Sequence, residues 1–213
     1  MSRSRLYSVL ENPVVYSIAQ SILLPGAGRM LKGPYEELFG RSSGWVLDIG
    51  CGPALSTPAP ADGHLVGLDV NPRYVKQFPR SSRGASGACV RSGITGSAAA
   101  LPFAAERFDE CRCMGLFHHL PDDLVRATVS EMYRVVRGTG RVIVIDGIWP
   151  RSAARRPLAW ATRRLDRGEW VRSEEQLKGL VASGAPAQWE TRRITYTLTG
   201  LELLLMQGLP KRR

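Results

Sequence analysis

The stretch that decides the fold is Val46-Leu47-Asp48-Ile49-Gly50-Cys51-Gly52. Trp45–Ile49 is a short, largely apolar run closed by two glycines, the pattern of a buried strand that runs into a tight turn. Gly50 and Gly52 let the backbone bend sharply and approach a ligand with no β-carbon in the way. A second apolar run, Leu65–Leu68, ends at Asp69, 17 residues after Gly52. In an open parallel sheet, ligands bind beyond the carboxyl ends of the strands, and an acid there can accept both hydroxyls of a ribose. The spacing therefore predicts a nucleoside-containing cofactor. The loop departs from the dinucleotide pattern, because Pro53-Ala54-Leu55 stands where a third glycine belongs. Asp48 adds negative charge at the turn, which disfavours a pyrophosphate and suits a cationic amine or sulfonium.

Outward from this turn, strands and helices alternate. Asn71-Pro72 predicts a short helix with Asn71 as N-cap and Pro72 at its first position. Arg80–Gly96 is rich in Ser, Gly and Arg and predicts a loop with one weak strand at Ala88–Ile94. Phe108–Met114 reads as a strand and Leu124–Val136 as an amphipathic helix that stops at Gly138-Thr139-Gly140. Arg141–Asp146 is the clearest strand. Ser173 to Ser183 predicts a helix opened by a capping box, Ser173 with Gln176. Gln188–Thr197 and Leu201–Gln207 read as two strands joined through Thr199-Gly200. Between Val14 and Phe39, apolar residues at helical spacing predict two or three short helices, broken at Pro25-Gly26 and Gly33-Pro34. The fold class is α/β: a Rossmann-like, doubly wound, mostly parallel sheet with a C-terminal antiparallel strand, in three α/β/α layers.

With 213 residues, 44% hydrophobic, the chain can bury a sizeable core without disulfides or a metal. No apolar run approaches the roughly 18–20 residues that cross a bilayer, and no signal peptide is visible, so a cytoplasmic location is expected. The four cysteines lack the spacing of a zinc site and read as reduced thiols, so no metal is expected. The net charge of +10 is unevenly spread. Residues 1–41 carry +2 and residues 42–150 carry +1, whereas residues 151–213, with thirteen basic and six acidic groups, carry +7. Such a flank attracts anions, or is a solvated Arg-rich surface.

At these residues a family resemblance becomes plain. Val46–Gly52 resembles the first motif of class I S-adenosylmethionine-dependent methyltransferases. The likeness continues through Val66–Asp69, Leu101-Pro102-Phe103, Phe108-Asp109, Leu116–Leu120, Glu131–Val136 and Gly140–Asp146. It is nearest to the small-molecule branch of that family. The resemblance implies S-adenosylmethionine as cofactor, with Asp48, Gly50, Cys51 and Gly52 at its methionine part and Asp69 with Val70 at its ribose. Ser97-Ala98 would lie at the adenine, where the family usually has Asp-Ala, and Cys113 and Met114 near the transferable methyl. Pro58 and Pro60 interrupt Pro53–Gly63, where the family places a full helix. Residues 1–41 would form a helical lid and 42–213 the methyltransferase domain, with 151–185 a basic insertion on the acceptor side.

Methyl transfer from a sulfonium is an in-line displacement that gains most from proximity and orientation. His119 is the candidate base for an acceptor that carries a proton, although either His118 or His119 could instead cap the turn before Pro121. Tyr16, Gln20, Trp149, Arg163 and Arg167 are candidates for the acceptor pocket, the tryptophan covering an apolar group and the arginines an anionic one. The expected acceptor is a small organic or lipid-like molecule, apolar or anionic. Nucleic acid is disfavoured as a partner, and peripheral membrane contact stays open. The alternatives are an RNA methyltransferase and a repurposed fold, either a cyclase or a non-catalytic cofactor-binding protein.

Overall fold

The glycine turn closes an inner strand of a seven-stranded sheet. A computed structural model of the protein describes residues 32–40, 42–52, 58–78, 89–165, 168–185, 187–195 and 199–209. In chain order the first elements are α1 (Lys32–Phe39), β1 (Trp45–Ile49), β2 (Gly63–Asp69), α2 (Pro72–Gln77) and β3 (Cys89–Thr95). Then come β4 (Phe108–Met114), a 3-10 turn (Phe117–His119), α3 (Asp122–Val135) and β5 (Val136–Ile148). α4 (Pro157–Leu165), α5 (Glu174–Gly184), β6 (Gln188–Thr195) and β7 (Glu202–Leu209) complete the order. The strands lie β3-β2-β1-β4-β5-β7-β6, with β7 antiparallel to both its neighbours and the other pairs parallel. Strand order reverses between β1 and β4, so the turn after β1 lies at the topological switch point.

Alternation along the strands divides the core. Leu47, Ile49, Cys111, Cys113, Val142 and Val144 join one cluster with α3 and α5. Ile143 and Ile145 face the other way, against Leu38 and Phe39 of α1. Val46 and Leu65 meet Phe78, and Gly67 is obligatory there because a β-carbon would stand 2.6 Å from the Phe78 ring. The sheet is thus covered on both faces, as buried parallel strands require.

The two helix starts read from side-chain chemistry form as expected. The Asn71 side chain accepts from the Arg73 N–H, with Pro72 at the first position. At α5 both bonds of the capping box are made: Gln176 N to Ser173 Oγ at 3.2 Å, and Ser173 N to Gln176 Oε1 at 2.9 Å.

Two expectations are corrected. Gly138-Thr139-Gly140 does not form a loop after the helix; α3 ends at Val135 and these glycines lie within β5. The ladder between β4 and β5 shifts there, from Phe108 opposite Val136 to Glu110 opposite Arg141. Gly140 allows this close approach, since a β-carbon would lie 2.6 Å from the Asp109 carbonyl oxygen. Gly33-Pro34 is not a break but the first turn of α1, where a missing N–H costs no helical bond. The basic stretch after Pro150 contains a helix, α4, with Pro157 at its first position. Residues 58–62 hold no helix, in keeping with Pro58 and Pro60, while residues 53–57 and the expected N-terminal helices up to residue 31 lie outside the described residues. Among the described residues, no helix is long and apolar enough to cross a membrane.

Candidate functional site

Gly50 turns at φ +70°, and its N–H and that of Cys51 donate to the Leu68 carbonyl at 2.7 and 3.1 Å. A β-carbon on Gly50 would lie 2.9 Å from Leu116, so bare backbone is what brings the turn against the end of β4. Gly52, at φ +53°, donates its N–H to Asp69 Oδ2 at 3.0 Å, and Asn71 N donates to Oδ1 at 2.8 Å. Each oxygen of Asp69 accepts one backbone bond and keeps further lone-pair capacity. Burial raises the Asp69 pKa, and the Asn71 and Gly52 N–H bonds only partly offset it.

A largely apolar cleft of ≈150 Å³ opens here, lined by Gly50, Asp69, Val70, Ser97, Ala98 and Leu116 among others. Four of the residues read from the sequence as cofactor-binding beyond the glycine turn (Asp69, Val70, Ser97 and Ala98) are thus brought to one cleft. Val70 is 72% exposed, an apolar side chain at the rim with nothing over it. Ser97 Oγ accepts from the Ala99 N–H at 3.3 Å, so its hydroxyl is partly engaged within its own turn.

The other members are placed differently. Asp48 is buried in the sheet beside Arg112, its neighbour in register on β4. Together with burial, its charge raises the Tyr35 phenol. Cys51 and Cys113 turn their side chains into core clusters, and burial pushes both thiols up. Cys113 therefore has only backbone to offer a ligand. Met114 is half-buried against the α1 side of the sheet.

At the ends of β4 and β5, the sequence reading missed a pair. Asp146 is buried, and its Oδ1 lies 2.6 Å from His118 Nδ1. The same carboxylate accepts Phe117 N at 2.5 Å and Gly147 N at 2.6 Å. Burial pushes the Asp146 carboxyl up, but the His118 ring and these two donors outweigh it and hold the pKa below the usual value. An ionised Asp146 takes the proton on Nδ1, which fixes the tautomer with the lone pair on Nε2. Arg172 braces the turn: Nη1 donates to the Phe117 carbonyl and Nη2 to the Leu120 carbonyl, each at 2.8 Å, and the guanidinium pairs with Asp122 at 2.6 Å. His119 is exposed, its ring 4.0 Å from that of His118. The available signal was Asp146 itself, a carboxylate inside a run buried from Val142 to Ile148 that demands a partner.

Trp149 lies at the same end of the sheet, half-buried, its Nε1 donating to the Val171 carbonyl at 2.9 Å and its ring 6.2 Å from that of Trp160. Arg163 is buried; it lies on the Gly147 backbone and donates to the Glu202 carbonyl at 3.1 Å. It braces α4 against the sheet, where the sequence reading had it reach an acceptor. Tyr16, Gln20 and Arg167 lie outside the described residues.

Residues 46–140 match the sequence model of a methyltransferase domain family. No curated protein sequence matches the chain. Among solved structures, YcgJ from Bacillus subtilis is 19% identical with a TM-score of 0.59, over 84% of this chain and 97% of that one. Magnesium protoporphyrin IX methyltransferase (ChlM) from Synechocystis PCC 6803, solved with bound SAH, is 16% identical with a TM-score of 0.63, over 87% and 84%. The 4+2 cyclase SpnF is 16% identical with a TM-score of 0.59, over 86% and 81%. Residues 46–140 thus match a methyltransferase domain family, and the chain shares its fold with these solved structures.

Proposed function

We propose that this protein transfers a methyl group from S-adenosylmethionine to a small organic or lipid-like acceptor. The observation that carries the reading is the cleft at the switch point, where the Gly50 turn, the Asp69 carboxylate and the Ser97-Ala98 turn converge. These residues fit an adenosine: Asp69 has capacity for the ribose hydroxyls, and exposed Val70 offers an apolar surface for a base to cover. When bound, S-adenosylmethionine supplies an electrophilic methyl on a sulfonium.

The chain's own residues orient and deprotonate. The sequence reading assigned the base to His119; the bond from Asp146 and the brace from Arg172 support His118 instead. A ring held by a buried carboxylate has a fixed tautomer and a stabilised imidazolium, both of which favour proton acceptance at Nε2. Asp146 and Arg172 are positioning residues in this scheme. His118→Gln is expected to lower kcat at least 100-fold, and Asp146→Asn about 10-fold with a shifted pH profile, leaving cofactor affinity within twofold.

A second reading, a repurposed fold such as a cyclase, is favoured by one observation: Ser97, in place of the family's acid, is short, neutral and already bonded to Ala99. One experiment separates the readings. Purified protein is incubated with radiolabelled methyl donor and an extract of its source cells, and label is counted in organic solvent, RNA and protein fractions. Label in the organic fraction supports the proposal, and label in RNA replaces it with the RNA methyltransferase reading. Calorimetric binding of S-adenosylhomocysteine without label in any fraction moves the assignment to the repurposed fold.

A further inference from the structure

Half of the chain's most exposed large apolar side chains, among the described residues, stand on α4 or in the segment that follows it. Leu158 (59% exposed) and Trp160 (36%) stand on α4, and Trp170 (44%) follows it. Trp149 lies between α4 and the segment after Trp170: its ring lies 6.2 Å from Trp160, and its N–H groups donate to the carbonyls of Val171 and Arg172. Pro157, Ala161, Ala153 and Ala154, on α4 and the turn before it, are exposed too.

On α4 and the turn before it the charge is of one sign, whereas Glu169 stands exposed beside Trp170. Residues 151–165 hold five arginines and no acid. Arg151 and Arg156 pair with Glu174 and Glu202, and Arg163 is buried. Arg155 and Arg164 are exposed and form no ion pair among the described residues, and Arg164 lies over the Trp160 ring at 4.7 Å. An amphipathic helix that presents Trp and Leu beside unpaired cations fits an interface with apolar depth and anionic headgroups. RNA would be served by the arginines but not by Leu158 or the alanines.

We propose that the exposed face of α4, with Trp170, is a docking surface for an anionic lipid bilayer. The surface adjoins the catalytic turn, because Trp170 N donates to the His118 carbonyl at 3.0 Å. Docking there places the Phe117–His119 turn next to the lipid surface, from which an amphiphilic acceptor can be drawn. The docking itself rests on no methyl transfer and is measured without cofactor or acceptor.

The test is co-sedimentation of the full chain with vesicles of phosphatidylcholine alone, or with 30% phosphatidylglycerol, in 0.1 M salt. At least tenfold tighter partitioning onto the anionic vesicles is expected. The double variant L158S/W160S should lose at least tenfold of that binding, and R155Q/R164Q should lose the preference for anionic lipid. Val90→Ser, which removes an exposed apolar group on β3, should bind as the parent does and controls for general stickiness. Equal partitioning onto both vesicle types, or full retention by L158S/W160S, overturns the proposal. So does the absence of vesicle binding combined with self-association abolished by L158S/W160S, or with salt-sensitive binding of a single-stranded RNA 20-mer.

Discussion

The two ends of the sequence around β1 and around β7 solve opposite problems. At the turn after β1, one carboxylate is held by the backbone N–H groups of Gly52 and Asn71, and the surrounding cleft is apolar and small-sided. At β6–β7, two buried carboxylates are held by side-chain cations. Glu202 takes Arg193 and, at 3.0 Å, Arg156; Glu174 takes Arg193 and, at 2.6 Å, Lys178. The first arrangement leaves acceptor capacity for a ligand, whereas the second uses it up within the fold. A charge total read from sequence cannot tell these cases apart. Much of the +7 carried by residues 151–213 is internal structure, and Arg155 and Arg164 are the part turned outward beside α4.

The sharpest way to break this contrast is to remove Glu202. Its loss leaves Arg193 and Arg156 short of a buried partner, so Glu202→Ala should cost about 3–5 kcal/mol in urea unfolding. Glu190→Ala, an exposed acid on the same sheet edge, should stay within about 0.5 kcal/mol. At the other end, Asp69→Ala should leave stability nearly intact yet weaken S-adenosylhomocysteine binding roughly 10- to 100-fold by calorimetry, the range of one charge-assisted bond. A stability loss as large as that of Glu202→Ala would make Asp69 a structural residue like its counterpart.

Acid distinguishes the two ends further. Lys178 and Arg193 hold the Glu174 carboxyl down to a pKa of about 2, against the opposing push of burial. Its folded value lies below the unfolded one of roughly 4.3. Its stabilisation is therefore complete above that value and is lost as pH falls toward 2. Asp69 is shifted the other way, so it adds no stability that acid would remove. Tm should fall steeply between about pH 4.5 and 2, and Glu174→Gln should flatten that fall. The smallest effect belongs to the exposed pair Arg192–Glu37, at 2.8 Å: Arg192→Ala should change stability by less than about 1 kcal/mol, and by less again in 0.5 M salt.

What the sequence disclosed, and what it withheld, follows the range of the interactions. The cap at Asn71 and the box at Ser173–Gln176 are made within three residues, and both were readable as written. The β1 turn was readable because glycine there answers a local backbone need. By contrast, β5 swallows Gly138–Gly140, and Gly140 answers to Asp109 on a neighbouring strand. The His118–Asp146 bond spans 28 residues and exists only because β4 and β5 lie side by side, Met114 opposite Ile145. Arg163 looked like an anion hook because its partner surface, the bare backbone of Gly147 and the Glu202 carbonyl, carries no sequence signature of a binding partner.

The strand order β5-β7-β6 also carries a consequence for the order of synthesis. β6 is made before β7 but can reach the sheet only through it, since all its ladder bonds go to β7. While the chain emerges, β6 must wait as an unpaired strand, and β5 keeps an open edge beside it. Glu190, Arg192 and Arg193 are charges that discourage such a strand from pairing with another chain. Arg193, which also pairs with Glu174, gains Glu202 only when the final strand slides into place, so the same side chain guards the strand before closure and locks it afterwards.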